Sequence, residues 1–389
     1  MFSGARRGRA GARRPGAEAG ECRGVAGIDT GMTPAGSGRF PRVRYRFGNG
    51  ATATSGDCFG HPFGRHDPDR VVPRACPPRL AGVIAEHREE PLRDALDPGV
   101  RALLERWSDQ PAMFAGTVAE ARERFAAQLA EAAGPARVPE VTDAGGVAVR
   151  VHRPATRSSD ALAVFVHGGG WVLGGGDVYD AVAARLADDL GAVVAAVDPR
   201  LAPEHPFPVP LEDTLVAVRA LLDDLAPARW ALVGDSAGAN LAAVTALTLR
   251  DEDRGPTASL LLYPPPDFEA RYPSLAENAD GYWLTAGDVR ACSKLYLAGH
   301  DPRGDARLSP LRAPSLAGLE PTIVATAGFD PLRDAGHAYA DALAAAGVDA
   351  RRREHPSLVH GFYGFTAAVP AADAAVAALH AELAGLLAP

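Results

Sequence analysis

Residues 231–240 read ALVGDSAGAN. The run WALVG (230–234) is short and apolar, which predicts a strand covered on both faces. The run 237–250 is rich in Ala and Leu and predicts a helix. The chain must turn from strand to helix within Gly234-Asp235-Ser236-Ala237-Gly238. Small residues on both sides of Ser236 permit so tight a turn. A GxSxG pattern in this setting lifts the serine hydroxyl above the C-terminal edge of a sheet. The helix N-terminus beneath it favours negative charge. Ser236 is therefore a candidate nucleophile, and the strand–turn–helix unit points to the α/β class.

The alternation continues outward. Strands are predicted at 147–154, 161–166, 192–197, 258–263, 322–327 and 348–355, and helices at 178–190, 211–225, 333–346 and 369–387. Repeated βα units with apolar strands imply a doubly wound, mostly parallel sheet. Two stretches lie outside this rhythm. In the first, 93–133, Asp97 is a helix N-cap with Pro98 at the first helical position. A second helix near 117–133 places Val118, Ala121, Phe125 and Leu129 on one face. The other stretch, 267–300, interrupts the alternation. Both are expected to act as a helical cap. Residues 91–389 thus form one domain, preceded by an extension, 1–90, that is rich in Gly, Arg and Pro and is expected to be disordered, with one short helix near 80–90.

Between 164 and 176 the chain reads VFVHGGGWVLGGG, with six glycines in nine residues. Each costs about 0.5–1 kcal/mol against alanine in regular structure, so the run needs a use. A phosphate loop would need GK[ST] at its end, and the dinucleotide pattern GxGxxG fails at Leu173. The remaining use is an oxyanion hole, in which bare backbone N–H groups approach a developing alkoxide.

A serine nucleophile needs a base and an orienting acid. After strand 322–327 comes GFDPLRDAG, with Asp330 just past the strand end; after strand 348–355 comes PSLVHGFYGF, with His360. Both fall on loops at the same sheet edge as Ser236, in the order Ser, acid, His that this architecture uses. The alternatives are Asp334, inside the following helix, and His355, at the strand end before Pro356.

These motifs together, HGGGW (167–171), DPRLAPEHPFP (198–208), GDSAGAN (234–240), DPLRD (330–334) and HGF (360–362), resemble the bacterial esterase branch of the hormone-sensitive-lipase-like α/β hydrolases. The resemblance covers roughly 93–389. It implies an α/β-hydrolase fold and hydrolysis of short- to medium-chain carboxylic esters without cofactor or metal. By it, Ser236, Asp330 and His360 match the triad, and the N–H groups of Gly168, Gly169 and Ala237 match the oxyanion hole. Pro199 stands where the family usually has Tyr, and Ala239 where it has Gly; neither change removes a catalytic group. The resemblance also carries the expectation of a homodimer through the edge strand near 348–355. The same triad serves arylamide hydrolysis, which is the alternative activity. A non-catalytic receptor on this fold, as in the gibberellin receptors that resemble the family, lacks the catalytic His, whereas His360 is present.

Other residues have more structural readings. His167 is expected to support its loop, and Asp198, Arg200, Glu204 and His205 to form a polar network bracing HGGGW. Trp171 is placed beside the active-site entrance. Met113, Phe114 and Trp283, with Trp107 and Tyr282, lie in the cap stretches, either lining an acyl pocket or forming cap core; the first three join Trp171 as substrate-binding candidates.

Composition bounds the partners. Residues 1–90 carry 15 Arg and nine Asp and Glu, while the rest holds 25 basic and 39 acidic side chains, a net charge of −14. An acidic body argues against nucleic acid and leaves a small-molecule ester as the expected partner. No run of 18 apolar residues is present, so no stable membrane insertion is expected. Four cysteines without paired spacing suggest a reducing, cytoplasmic setting. Cys58, His61, His66 and Cys76 match no familiar zinc spacing, and no metal is expected.

Overall fold

The structure, a computed structural model, describes residues 96–389 and, apart from them, the backbone of an antiparallel strand pair, Arg44–Arg46 with Thr52–Thr54. The expected disorder of 1–90, the helix near 80–90 and the Cys58/His61/His66/Cys76 set lie outside the described residues.

The domain is built on one eight-stranded sheet. Its strands are β1 (Glu140–Ala144), β2 (Val147–His152), β3 (Leu162–Val166), β4 (Val193–Asp198), β5 (Trp230–Asp235), β6 (Ala258–Leu262), β7 (Thr322–Phe329) and β8 (Ala350–Val359), in the spatial order β8-β7-β6-β5-β3-β4-β2-β1. From β4 to β8 all neighbours are parallel; β2 runs antiparallel to both β4 and β1. Every residue of β3, β5 and β6 is buried, as their unbroken apolar runs require.

β3 lies between β4 and β5, so the chain leaves it on one side and returns on the other. Ligand crevices form at such a switch point, beyond the carboxyl ends of the strands. Here Val166 pairs with Gly234. That register puts the loop after β3, which carries the glycines, beside the turn that carries Ser236.

Helices α1 (Pro98–Trp107) and α2 (Val118–Ala133) form the first cap segment. Asp97 caps α1, its Oδ1 accepting the N–H groups of Gly99 (2.8 Å) and Val100 (3.1 Å). Thr117 and Glu120 form a reciprocal capping box on α2. On the sheet faces lie α3 (Asp180–Leu190), α4 (Val209–Leu225), α5 (Ala237–Asp251), α8 (Arg333–Ala345) and α9 (Pro370–Leu387). The second cap segment holds α6 (Ser274–Glu277) and α7 (Ala286–Leu297). Among the described residues, α9 is long and apolar enough to cross a membrane by length and composition alone. It is docked on the domain, burying Val376, Leu379 and Leu383, and is ion-paired through Asp373 to Arg185 and through Glu382 to Arg353.

Three details depart from the sequence reading. β1 escapes it because four of its five residues are exposed, which erases the alternation. The last strand does not stop at His355 but runs to Val359. A register shift between His355 and Val359 absorbs Pro356, which has no N–H to give the ladder, and β8 is an edge strand where this is tolerated. The helix expected at 178 begins as a 3₁₀ turn, Gly176–Tyr179.

Candidate active site

The turn after β5 is as tight as its composition requires. Ser236 sits at φ 54°, in the left-handed region that only strong surrounding contacts impose on a non-glycine residue. Its N–H donates to Leu262 O at 2.8 Å, and its own carbonyl accepts Asn240 N–H. A Cβ on Gly234 would lie 2.5 Å from Gly238 O, and one on Gly238 would run into the carbonyls of Val166 and His167. Both glycines are thus fixed by close approach: α5 presses on the end of β3.

Ser236 Oγ lies 2.9 Å from His360 Nε2, and His360 Nδ1 lies 2.8 Å from Asp330 Oδ2. The carboxylate can only accept, so Nδ1 carries the proton and Nε2 presents a lone pair to the serine hydroxyl. Asp330 is fully buried and its Oδ1 accepts Leu332 N–H at 2.7 Å. The His360 ring rests against Tyr263, centroids 4.4 Å apart. Asn278, from the second cap segment, donates to Asp330 O at 3.1 Å. No sequence pattern marked this cap contact.

The two rivals point elsewhere. Asp334 binds Arg333 and the N–H of Ser274, bracing α6. His355 lies in β8 against Phe362.

The glycine loop corrects one expectation. The N–H of Gly168 does not face the serine; it donates to Asp235 Oδ1 at 2.7 Å. An N–H already spent on a buried carboxylate has nothing left for an oxyanion. The N–H groups of Gly169, Gly170 and Ala237 have no partner among the described residues, and these three residues line the cavity above Ser236. Gly169 and Gly170 adopt φ of +100° and +63°. A Cβ on Gly169 would strike Leu173 O and one on Gly170 would strike Cys292 Sγ. The HGGG motif offers three glycines, and only contacts such as that of Asp235 with Gly168 N–H decide which of them face Ser236.

Braces on this loop come partly from the expected residues. His167 Nδ1–H donates to Gly168 O at 2.7 Å, and burial lowers its pKa, keeping it neutral. Asp198 accepts Gly176 N–H at 3.1 Å. Glu204 acts through Arg122 of α2, which binds Glu204, Val172 O (2.9 Å) and Ala202 O (3.0 Å) at once. Arg200 instead binds Asp213 of α4. Arg122 was not marked by any motif.

A cavity of about 410 Å³ opens over Ser236, of the size that small-molecule sites have. Met113, Phe114, Trp171 and Trp283 all line it. Trp171 also stacks on Tyr296, centroids 4.5 Å apart. Trp107 and Tyr282 belong to the packing behind: Trp107 abuts Phe365 (5.7 Å) and Tyr282 abuts Phe329 (4.9 Å). Trp283 is held by Gln128, which accepts its Nε1–H at 2.8 Å, linking the two cap segments.

The pattern of the α/β-hydrolase fold family matches residues 163–364. The chain is 43% identical over 247 residues to the carboxylic ester hydrolase LipN of Mycobacterium tuberculosis, covering 59% of this chain and 66% of that protein. It is 38% identical over 298 residues to the carboxylesterase NlhH of the same organism, covering 72% and 92%. Among solved structures, an esterase from the bacterial hormone-sensitive lipase family superposes with a TM-score of 0.69 at 30% identity, covering 76% of this chain and all of that one.

Proposed function

The chain belongs to the hormone-sensitive-lipase-like family of α/β hydrolases and is a carboxylic-ester hydrolase, and from that premise we propose that it cleaves short- to medium-chain acyl esters of small molecules through Ser236, His360 and Asp330. The observation that carries the reading is the unbroken chain Ser236 Oγ, His360 Nε2, His360 Nδ1, Asp330 Oδ2, with links of 2.9 and 2.8 Å, at the base of an apolar-walled cavity.

In this mechanism Ser236 Oγ attacks the ester carbonyl while its proton passes to His360 Nε2. The resulting imidazolium is stabilised by Asp330. The carbonyl oxygen, now an oxyanion, accepts the N–H groups of Gly169, Gly170 and Ala237. Collapse expels the alcohol, which takes the proton from Nε2. Water then enters, gives its proton to Nε2 and attacks the acyl-enzyme; the second collapse frees the acid and returns the proton to Ser236.

The test is Ser236→Ala. It should lower kcat on p-nitrophenyl butyrate by on the order of 10⁴–10⁶-fold with the fold intact. A serine-reactive phosphonate should label Ser236 in the wild type and nothing in the variant. Near-normal turnover by the purified variant would remove the proposal.

A further inference from the structure

Asp235 stands one residue before Ser236 and takes no part in the triad, yet it is buried and bound at both carboxylate oxygens. Oδ1 accepts Gly168 N–H at 2.7 Å and Oδ2 accepts the Tyr179 hydroxyl at 3.2 Å. Gly168 has no slack there. A Cβ on it would strike Asp235 Oδ2 and stand 2.8 Å from the Tyr179 hydroxyl. Tyr179 is itself wedged, with His167 at 5.4 Å and Phe125 at 6.2 Å between ring centroids. The residue that precedes the nucleophile thus grips the residue that precedes the two loop donors.

We propose that Asp235, seated by Tyr179, is a positioning residue that sets the distance between Ser236 Oγ and the N–H groups of Gly169 and Gly170. The inference rests on the reading of Ser236 as nucleophile and of those N–H groups as the oxyanion hole. The physical need is clear. Donors stabilise an oxyanion only when held about 2.7–3.1 Å from where it forms. A run of glycines has no side chains to hold it in place and is conformationally permissive. A carboxylate accepting a backbone N–H makes a short, charge-assisted bond, and so ties the run to the rigid end of β5. Keeping a carboxyl group here has a cost, since burial pushes Asp235 up to about 7. An apolar residue would avoid that cost and could not hold Gly168.

The test compares D235A, D235N and Y179F on p-nitrophenyl butyrate and on an alkyl trifluoromethyl ketone, whose hemiketal oxyanion reads the hole directly. In D235N the amide oxygen can still accept Gly168 N–H, and the amide N–H can donate to the Tyr179 oxygen. D235A should lose about 10²-fold in kcat with KM little changed, and its ketone affinity should weaken by a similar factor. D235N should recover most of both. Wild-type kcat in folded D235A, equal damage in D235N and D235A, or a kcat loss without a loss of ketone affinity would each overturn the proposal. Should D235A not be recovered folded, Y179F decides. A joint loss of kcat and ketone affinity supports the tether, and wild-type values for both overturn it. Full activity in Ser236→Ala would sink the underlying reading whatever Asp235 does; an inactive Ser236→Ala beside an undisturbed D235A sinks the positioning role alone.

Discussion

The indole of Trp283 occupies the place where a Cβ on Gly361, the residue after His360, would have to go. Gly361 also has φ of +83°, so backbone and cap both demand glycine. Through this contact the second cap segment bears on the loop that carries His360. Gly361→Ala should displace His360 and lower kcat by on the order of 10²-fold, since a shift near 1 Å has that effect. Adding Trp283→Ala should restore part of the loss, because steric conflict is removed while the φ strain remains. Steady-state kinetics of the single and double variants check this; no recovery in the double variant would place the whole effect in the backbone.

On the proposed reading, the cavity would limit acyl chain length. Each CH₂ buried should gain up to about 0.8 kcal/mol until the space is filled. Across p-nitrophenyl esters from acetate to palmitate, kcat/KM should rise, peak at roughly two to eight carbons, and fall, the gain per carbon ending where the roughly 410 Å³ is used up. A maximum at palmitate, or a jump in rate on adding an oil–water interface, would contradict this.

Arg122 joins the cap to the glycine loop through three partners, Glu204, Val172 O and Ala202 O. Arg122→Ala leaves those carbonyls short of a donor and should cost about 1–3 kcal/mol of stability. Loosening of Val172, which with Leu173 donates to Gly169 O, should also lower kcat more than it raises KM. Urea unfolding together with kinetics reads both; unchanged values for both would mean the cap does not brace the loop.

Stability should depend on pH through Asp235. The folded state holds it at about 7, whereas an unfolded aspartate titrates near about 3.9. Between those values the folded chain binds a proton the unfolded chain has released. Its contribution is therefore full below about pH 4 and lost as pH rises through about 7, by as much as roughly 4 kcal/mol. Asp235→Asn removes the group, so the stability gap between variant and wild type should widen in the variant's favour from pH 4 to pH 8. Urea unfolding at both ends measures it, and parallel pH curves would refute it.

The triad, the oxyanion donors and the cavity-lining side chains named above lie between Met113 and His360. A chain beginning at Pro91 should therefore keep the kcat and Tm of the full chain. Loss of most activity on truncation would assign the first 90 residues a part in the fold.

Much of this molecule is legible in its sequence. The strand–GxSxG–helix unit is local, and local apolar period and turn composition placed Ser236 at its turn. The order of Asp330 and His360 after successive strands followed from the same rhythm, since parallel strands bring their C-terminal loops to one edge. Four exposed residues hid β1, and a register shift carried β8 past Pro356, because edge strands need not obey the pattern of the core. What local pattern could not carry was the choice among equivalent groups. Gly168, Gly169 and Gly170 are identical in sequence terms. Asp235, 67 residues away, takes the first N–H and leaves the other two turned to the cavity. Likewise Trp107 and Trp283 read alike in the cap and both pack on Phe365, but only Trp283 reaches over Gly361 and into the pocket, leaving Trp107 in the wall behind. Periodicity reports which face of an element is buried; only long-range contact decides which atoms on that face are already bonded and which remain for a substrate.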